Sequence, residues 1–252
     1  MNSEFDAHMR PTTLSFYASS PHECNYLPDR MAVSVFADPA INMTTSLYGK
    51  LAELGFRRSG DHVYAPKCYH CQSCIPVRIP VESFSPNRSQ RRTVMRNHAV
   101  EIVRTPAGFN QQHYQLYQRY LTHRHVGGGM DDPTPESYLS FLTSHWSDTA
   151  FYEFRLDNEV IAVSVVDHLP QALSAVYTFF DPELSHLSLG SFAILWLIEE
   201  TKRLGHRWLY LGYWIRDSRK MAYKDNYRPI EALVNGHWLR FQANEKISAE
   251  ND

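Results

Sequence analysis

Cys68, Cys71 and Cys74 fall at i, i+3 and i+6, and Cys24, the only other cysteine in the chain, sits forty-four positions upstream. Thiolates at that spacing can converge through a tight turn, and a distant fourth can close a four-sulfur set. Tetrahedral zinc accepts such a set, and the C-x2-C-x2-C run also resembles iron–sulfur ligation. Cys24, Cys68, Cys71 and Cys74 are therefore candidate ligands for zinc or an iron–sulfur cluster, against the blander reading that small buried cysteines are ordinary core residues. Immediately beyond stands Pro76-Val77-Arg78-Ile79-Pro80. Arg78 thus stands between two prolines beside the cysteines, and a run of arginines follows, so the cysteine cluster joins directly to a basic stretch.

A second constellation lies at Tyr177-Thr178-Phe179-Phe180-Asp181-Pro182 and Ser188-Leu189-Gly190-Ser191. The first stretch ends a strand and the second opens an apolar helix. Asp181 stands at the strand end between Tyr177 and the helix start, where a plain turn residue is the blander reading. Backbone amides at such a helix start, around Ser188, Gly190 and Ser191, can cradle an anionic group, while a simple N-cap at Ser188 is the plainer reading. A helix start built for coenzyme A would carry Arg or Gln first and a small residue last. Here those positions are Leu187 and Phe192.

Charge is distributed unevenly. Although the formal net charge is −2, fourteen of the 25 Lys and Arg residues fall between Arg78 and Arg104 or between Lys202 and Arg228. Local excess of this kind is what a phosphate backbone responds to, whereas solvated faces are the plainer alternative. Arg88, then Arg91, Arg92 and Arg96 on one helix, with Lys220, Tyr223 and Lys224 near an aromatic strand end, are the candidate contacts to a nucleic acid. Bases stack on rings and phosphates pair with cations in such mixtures.

The elements that must position these groups can be read from periodicity. Short strands at Thr12–Phe16 and Val33–Phe36, a helix over Thr45–Leu54 and a turn at Arg57–His62 make a small cysteine-containing domain over residues 1–88. Ser89 is read as the cap of a helix through Asn97. A transferase domain follows over 89–241, and 242–252 form a tail. Within it, helices are expected over His113–His123 and from Thr134 through Trp146, then strands Ala150–Leu156, Val160–Leu169 and Leu173–Phe180. A helix Ser188–Leu204, a strand Arg207–Ile215, a helix Ser218–Asn226 and a hairpin Glu231–Phe241 complete the order. This is an α/β (α+β) chain whose element order matches the mixed sheet of GNAT-like acyltransferases.

No run approaches the eighteen or so apolar residues of a membrane span, and the first residues show no basic region followed by an apolar one, so a cytoplasmic location without membrane partners is expected. There cysteines stay reduced, which favours ligands over disulfides. Met1 to Met9 are unpatterned.

Several stretches together resemble one family. Cys24-Asn25-Tyr26-Leu27-Pro28-Asp29-Arg30, Phe56-Arg57-Arg58-Ser59-Gly60, Ser89-Gln90-Arg91-Arg92, Tyr177 to Pro182, and Gly212-Tyr213-Trp214-Ile215 through Lys224 occur in the order found in bacterial aminoacyl-tRNA–protein transferases, relatives of the eukaryotic arginyltransferases. The resemblance spans about residues 13 to 241. It implies transfer of leucine from leucyl-tRNA to proteins beginning with Asp or Glu, in the N-degron pathway of protein degradation, with aminoacyl-tRNA as co-substrate and no cofactor needed for the chemistry. For that reaction the resemblance implies Arg78 as the binder of the acceptor's acidic side chain, Asp181 with Tyr177 as the group that orients or deprotonates the attacking amine, and the amides around Ser188, Gly190 and Ser191 as the holders of the oxyanion and donor end. Phe180 stands where the eukaryotic relatives commonly show Tyr, so no hydroxyl role is carried over to it. Two other readings are kept open by the residues alone: a coenzyme-A-dependent N-acetyltransferase, and a zinc-knuckle nucleic-acid-binding protein without catalysis.

Overall fold

The computed structural model describes residues 13–124 and 133–248. Met1 to Met9, the first residue of the strand expected from Thr12, and the last four residues of the tail lie outside them. In chain order the elements are β1 (Phe16–Ala18), β2 (His22–Glu23), β3 (Met31–Ala32), β4 (Ser34–Ala37), α1 (Thr45–Glu53), β5 (Arg57–Ser59), β6 (His62–Pro66) and β7 (Ile75–Pro80). Then come α2 (Arg88–Arg96), β8 (Glu101–Pro106), α3 (Gln111–Arg124), α4 (Pro135–Leu142), β9 (Thr149–Leu156), β10 (Glu159–Leu169) and β11 (Ala172–Phe180). The chain closes with α5 (Leu189–Arg203), β12 (Trp208–Trp214), β13 (Ile230–Val234) and β14 (His237–Phe241).

A mixed sheet of eight strands in the order β14-β13-β7-β12-β11-β10-β9-β8 forms the middle layer. Alternation along its strands decides what covers each face. Leu209 and Leu211, with Phe154 and Ile79, face α5 and the residues Phe192, Leu195 and Ile198. Phe151, Val163, Val165 and Phe179 face α3 and α4 through Tyr117, Leu121 and Tyr138. Tyr210, between Leu209 and Leu211, points with Leu169 into a third cluster built on Tyr48 and Leu51 of α1 and Val63 of β6. That cluster seats the small four-stranded sheet β1-β4-β6-β5 on the large one.

Several expectations change in detail. Strand β7, from the N-terminal side of the division expected at residue 88, runs inside the large sheet between β12 and β13. Val77 and Ile79 are fully buried there, so an apolar strand of this kind finds cover on both faces only in a central position. Helix α2 is capped by Asn87 instead of Ser89: the Asn87 side chain accepts from the Gln90 amide, and the Gln90 side chain accepts from the Asn87 amide. Helix α4 stops at Leu142, well short of Trp146, because Thr143 adopts extended backbone and the following Ser and Thr hydroxyls bond locally. The helix expected over Ser218–Asn226 is only a 3-10 turn at Ala222–Asn226, which folds Lys224 inward.

Candidate active site

Strands β11 and β12 pair in parallel at Ala172–Ser174 with Trp208–Tyr210 and nowhere beyond. Past that point β11 continues to Phe180 and β12 to Trp214 without pairing to one another, so the sheet parts into a cleft. Asp181 ends β11, a 3-10 turn spans Pro182–Leu187, and Ser188 turns the chain into α5 from a left-handed conformation with φ 54° and ψ 45°. Such backbone costs about 1–2 kcal/mol in a non-glycine residue and needs surrounding support. Here the support comes from α2. Asn97 Nδ2 donates to the Leu187 carbonyl at 2.8 Å, and Arg96 Nη1 donates to the His186 carbonyl at 2.5 Å.

The expected oxyanion donors are narrowed by this turn. The Ser188 amide donates to Ser185 and the Ser191 amide to Ser188, both within the turn itself. That leaves the first-turn amides of Leu189 and Gly190, which have no intrahelical acceptor. Gly190 also lets the helix start meet β11 closely, since a Cβ there would lie 3.1 Å from the Phe180 ring. Phe180 in turn stacks edge-on against Tyr120 of α3, with ring centroids 5.0 Å apart.

Asp181 is tied on two sides. Its carboxylate accepts from the Glu183 amide at 3.0 Å and from Arg119 Nη2 at 3.1 Å, and its side chain is 20% exposed. Arg119, on α3, is a neighbour that no spacing rule indicated, since the pair closes over 62 residues of chain. The Tyr177 ring sits among Phe141, Tyr117 and Tyr120, at 5.2, 6.1 and 6.2 Å between centroids. Tyr177 thereby belongs to the aromatic layer beneath the cleft, with Asp181 four residues on at the strand end.

The basic residues gather beside the same turn. Arg88, Arg91, Arg92 and Arg96 are all exposed on α2, as are Lys220 and Tyr223. Gln90 Nε2 donates to the Asn226 carbonyl at 3.0 Å, which fastens α2 to the turn that carries Tyr223. Parts of the two basic windows, α2 and the turn that carries Tyr223, are thus joined, and Arg96 ties α2 to the start of α5. Lys224 is a correction to that set. It is 5% exposed, and its Nζ donates to the Tyr213 carbonyl at 2.6 Å, so it contributes nothing to the outer face. Burial, helped by the nearby charge of Arg57, pulls its pKa down to about 7.

Arg78 is a second correction. Its Nε donates to Glu231 at 2.8 Å and its Nη1 to Tyr210 at 3.1 Å, while Trp208 and Trp238 sandwich the guanidinium at 4.0 and 4.1 Å. With 7% exposure, Arg78 is an internal clamp across β7, β12 and β13, and its fork is already filled.

The four cysteines lie close enough to act on one another. Burial first, and then the charges of Cys68, Cys24 and Cys71, push the Cys74 thiol up to about 12. Cys71 is shifted the opposite way, chiefly by its hydrogen bond with the Ser73 side chain. Among the described residues, however, no three His, Cys, Asp or Glu side chains are arranged to hold a metal ion. The donor chemistry of the four thiols suits zinc or iron. A groove of about 1060 Å³ bordered by Asp61, Arg104, Glu136, His145 and Asp148 holds none of the expected site residues.

Comparison with known proteins follows this geometry. Residues 22–92 match the family model "Arginine-tRNA-protein transferase, N terminus", and residues 112–234 match "Arginine-tRNA-protein transferase, C terminus". The chain is similar to an "Aspartate/glutamate leucyltransferase" of Pseudomonas paraeruginosa, with 51% identity over 226 residues, covering 90% of this chain and 96% of that one. Proteins of the same name from Pseudomonas fluorescens (strain Pf0-1) and Marinobacter nauticus are 48% and 49% identical over 226 residues, covering 90% of this chain and 96% and 95% of theirs. Among solved structures, FemX shares 9% identity at a TM-score of 0.46, over 75% of this chain and 65% of that one. The C-terminal domain of a lysylphosphatidylglycerol synthetase from Agrobacterium fabrum shares 12% at 0.44, over 57% and 48%. No described helix is long and apolar enough to cross a membrane.

Proposed function

The chain belongs to the aspartate/glutamate leucyltransferase family of tRNA-dependent protein transferases, and from that membership we infer that it moves leucine from leucyl-tRNA to the N-terminal α-amine of proteins beginning with Asp or Glu. The observation that carries this is about 50% identity to leucyltransferases over nine-tenths of the chain. Proteins so modified are directed to degradation through the N-degron pathway, in the cytoplasm.

In the reaction the amine nitrogen attacks the ester carbonyl of the leucyl group. A carbon–nitrogen bond forms, the carbon–oxygen bond to the terminal ribose breaks, and the proton lost by the amine ends on the ribose oxygen. An α-amine with a pKa of about 7.7–8.0 is partly neutral near pH 7, so positioning is the larger part of the task. We assign the donor ester to the cleft between β11 and β12, with the Leu189 and Gly190 amides facing the developing oxyanion. Asp181, held by Arg119, orients the attacking amine, and Tyr177 supports that strand end.

The exposed face of Arg88, Arg91, Arg92 and Arg96 with Lys220 and Tyr223 receives the tRNA backbone and acceptor end. Because each phosphate contact releases counterions, the triple change of Arg91, Arg92 and Arg96 to Gln should flatten the dependence of log Kd on log salt by about two to three. A slope equal to that of the unaltered protein would remove these residues from the interface. The metal reading of Cys24, Cys68, Cys71 and Cys74 rests on their spacing, and metal analysis of the purified protein tests it: neither zinc nor iron near one equivalent would end it.

The function itself is tested with radiolabelled leucyl-tRNA, or arginyl-tRNA in parallel, and peptides that differ only in an N-terminal Asp, Glu or Ala. Leucine transfer confined to Asp and Glu is expected. Transfer of arginine instead would overturn the donor, and transfer to Ala as readily as to Asp would overturn the acceptor.

A further inference from the structure

Arg57 and Arg58 are neighbours in β5, and both are buried, at 6% and 5% exposure. Arg58 spends the side-on edge of its guanidinium on a carboxylate: Nε and Nη2 donate to the two oxygens of Asp167, each at 2.6 Å. Arg57 points to the other side. Its Nη1 is turned back to the carbonyls of Phe56 and Ala52, at 2.6 and 3.4 Å. The same side-on edge, Nε and Nη2, is buried with no hydrogen-bond partner among the described residues. A buried guanidinium without an anion is costly, and stacking on the rings of Tyr210 and Tyr213, at 5.0 and 5.7 Å, offsets only part of that cost.

A second buried cation shares this place. Lys224 Nζ donates to the carbonyl of the same Tyr213 whose ring Arg57 covers, and the Lys224 side chain has no carboxylate partner among the described ion pairs. The lowered pKa of Lys224 has Arg57 among its causes, in keeping with two cations confined together. Partly exposed Tyr64 lies within electrostatic reach of Arg57, and partly exposed Cys74 within reach of Lys224. Tyr213 lies on β12, one wall of the cleft.

We propose that the unfilled fork of Arg57, with Lys224 as a second charge, receives the acidic side chain of the acceptor's first residue. A carboxylate there completes for Arg57 the pairing that Asp167 gives Arg58, and it sets the acceptor's α-amine along β12 toward the cleft. This places acceptor selection at Arg57 in place of Arg78, whose fork Glu231 and Tyr210 already occupy. The inference rests on the transferase reading above.

The test measures leucine transfer from leucyl-tRNA to two peptides differing only in an N-terminal Asp or Asn. Arg57→Lys keeps the charge and loses the fork. It should raise KM for the Asp peptide by about thirtyfold or more, leave kcat within a few fold, narrow the Asp-over-Asn preference to match, and leave leucyl-tRNA binding unchanged. A folded Arg57→Lys protein that still separates Asp from Asn as the unaltered one does would overturn the proposal. Should that variant fail to fold, Lys224→Met gives the second arm, because an unbranched apolar chain fills the space of the lysine stem without its charge. It should narrow the preference severalfold, and an unchanged preference would again overturn it. If the unaltered protein transfers leucine to no peptide, the transferase reading fails separately. Calorimetric binding of the two peptides to the unaltered and Arg57→Lys proteins then decides: an Asp preference that Arg57→Lys weakens supports the site, and equal binding rejects it.

Discussion

Asp167→Ala should lower the unfolding free energy by about 3–5 kcal/mol, because it leaves Arg58 charged and shut away from water. Both side chains of this pair have no exposure, and the guanidinium is otherwise held by the Leu142 carbonyl at 3.1 Å and the Thr149 hydroxyl at 3.1 Å. Thr149 also donates its hydroxyl to the Asp167 carboxylate at 2.7 Å, so removal of that carboxylate leaves both Arg58 and Thr149 short of an acceptor. Asp61→Ala is the control. The Asp61–His145 pair has a similar distance of 2.9 Å, but its side chains are 50% and 78% exposed, and its loss should stay within about 1 kcal/mol. Urea midpoints at an unchanged m-value measure both. A double change of Arg58→Met with Asp167→Leu should recover most of the loss, since the penalty belongs to the orphaned charge. Equal small effects for Asp167 and Asp61 would show that water reaches the Arg58 pocket.

The second large effect is expected at Gly60, in the turn between β5 and β6. Its φ is +58°, its amide donates to the Phe141 carbonyl at 3.0 Å, and an added Cβ would lie 2.0 Å from the Ser140 carbonyl oxygen. No side chain can yield there, because the obstacle is the backbone of α4. Gly60→Ala should therefore cost about 3 kcal/mol or more, combining left-handed strain with the displacement of α4. Gly205→Ala separates the two terms. Gly205 has φ +71° with nothing within 4 Å of the added atom, so only the strain of about 1–2 kcal/mol applies. A thermal melt in which both variants lose the same few degrees would mean that α4 moves aside freely.

Asp167 fastens the small sheet to the large one and Gly60 fastens it to α4, while Arg57 lies in the same small sheet beside Tyr210 and Tyr213 of the large one. How much of this was legible follows from what each residue's neighbours are. The hairpin at Asp157-Asn158 and the one at Asn235-Gly236 were readable because their positive φ values suit the very residues that signal the turn. The order of strands from β9 to β12 and the apolar helix α5 were readable from periodicity. The roles of paired arginines were not. Arg57 and Arg58 are identical in type and adjacent in sequence, and only the partner 109 residues away distinguishes them. Arg78 looked available because prolines flank it, yet Glu231, 153 residues on, fills its fork. Lys224 was read as exposed because helical spacing pairs it with Lys220. The chain makes a 3-10 turn there, so that spacing never applied.

The central place of β7 has a consequence in time. Its neighbours are β12 and β13, so on the ribosome one edge stays unpaired until about 130 further residues have been made and the other until about 150. At roughly 5–20 residues per second that is a wait of about 8–30 s, with an apolar strand and the adjoining thiols of Cys68, Cys71 and Cys74 open to whatever passes. Pro76 and Pro80 deny a stray strand two of the amides it would bond. In the nascent chain these prolines act as guards, and chaperone contact or thiol protection during that interval should govern how much of the protein reaches its finished form.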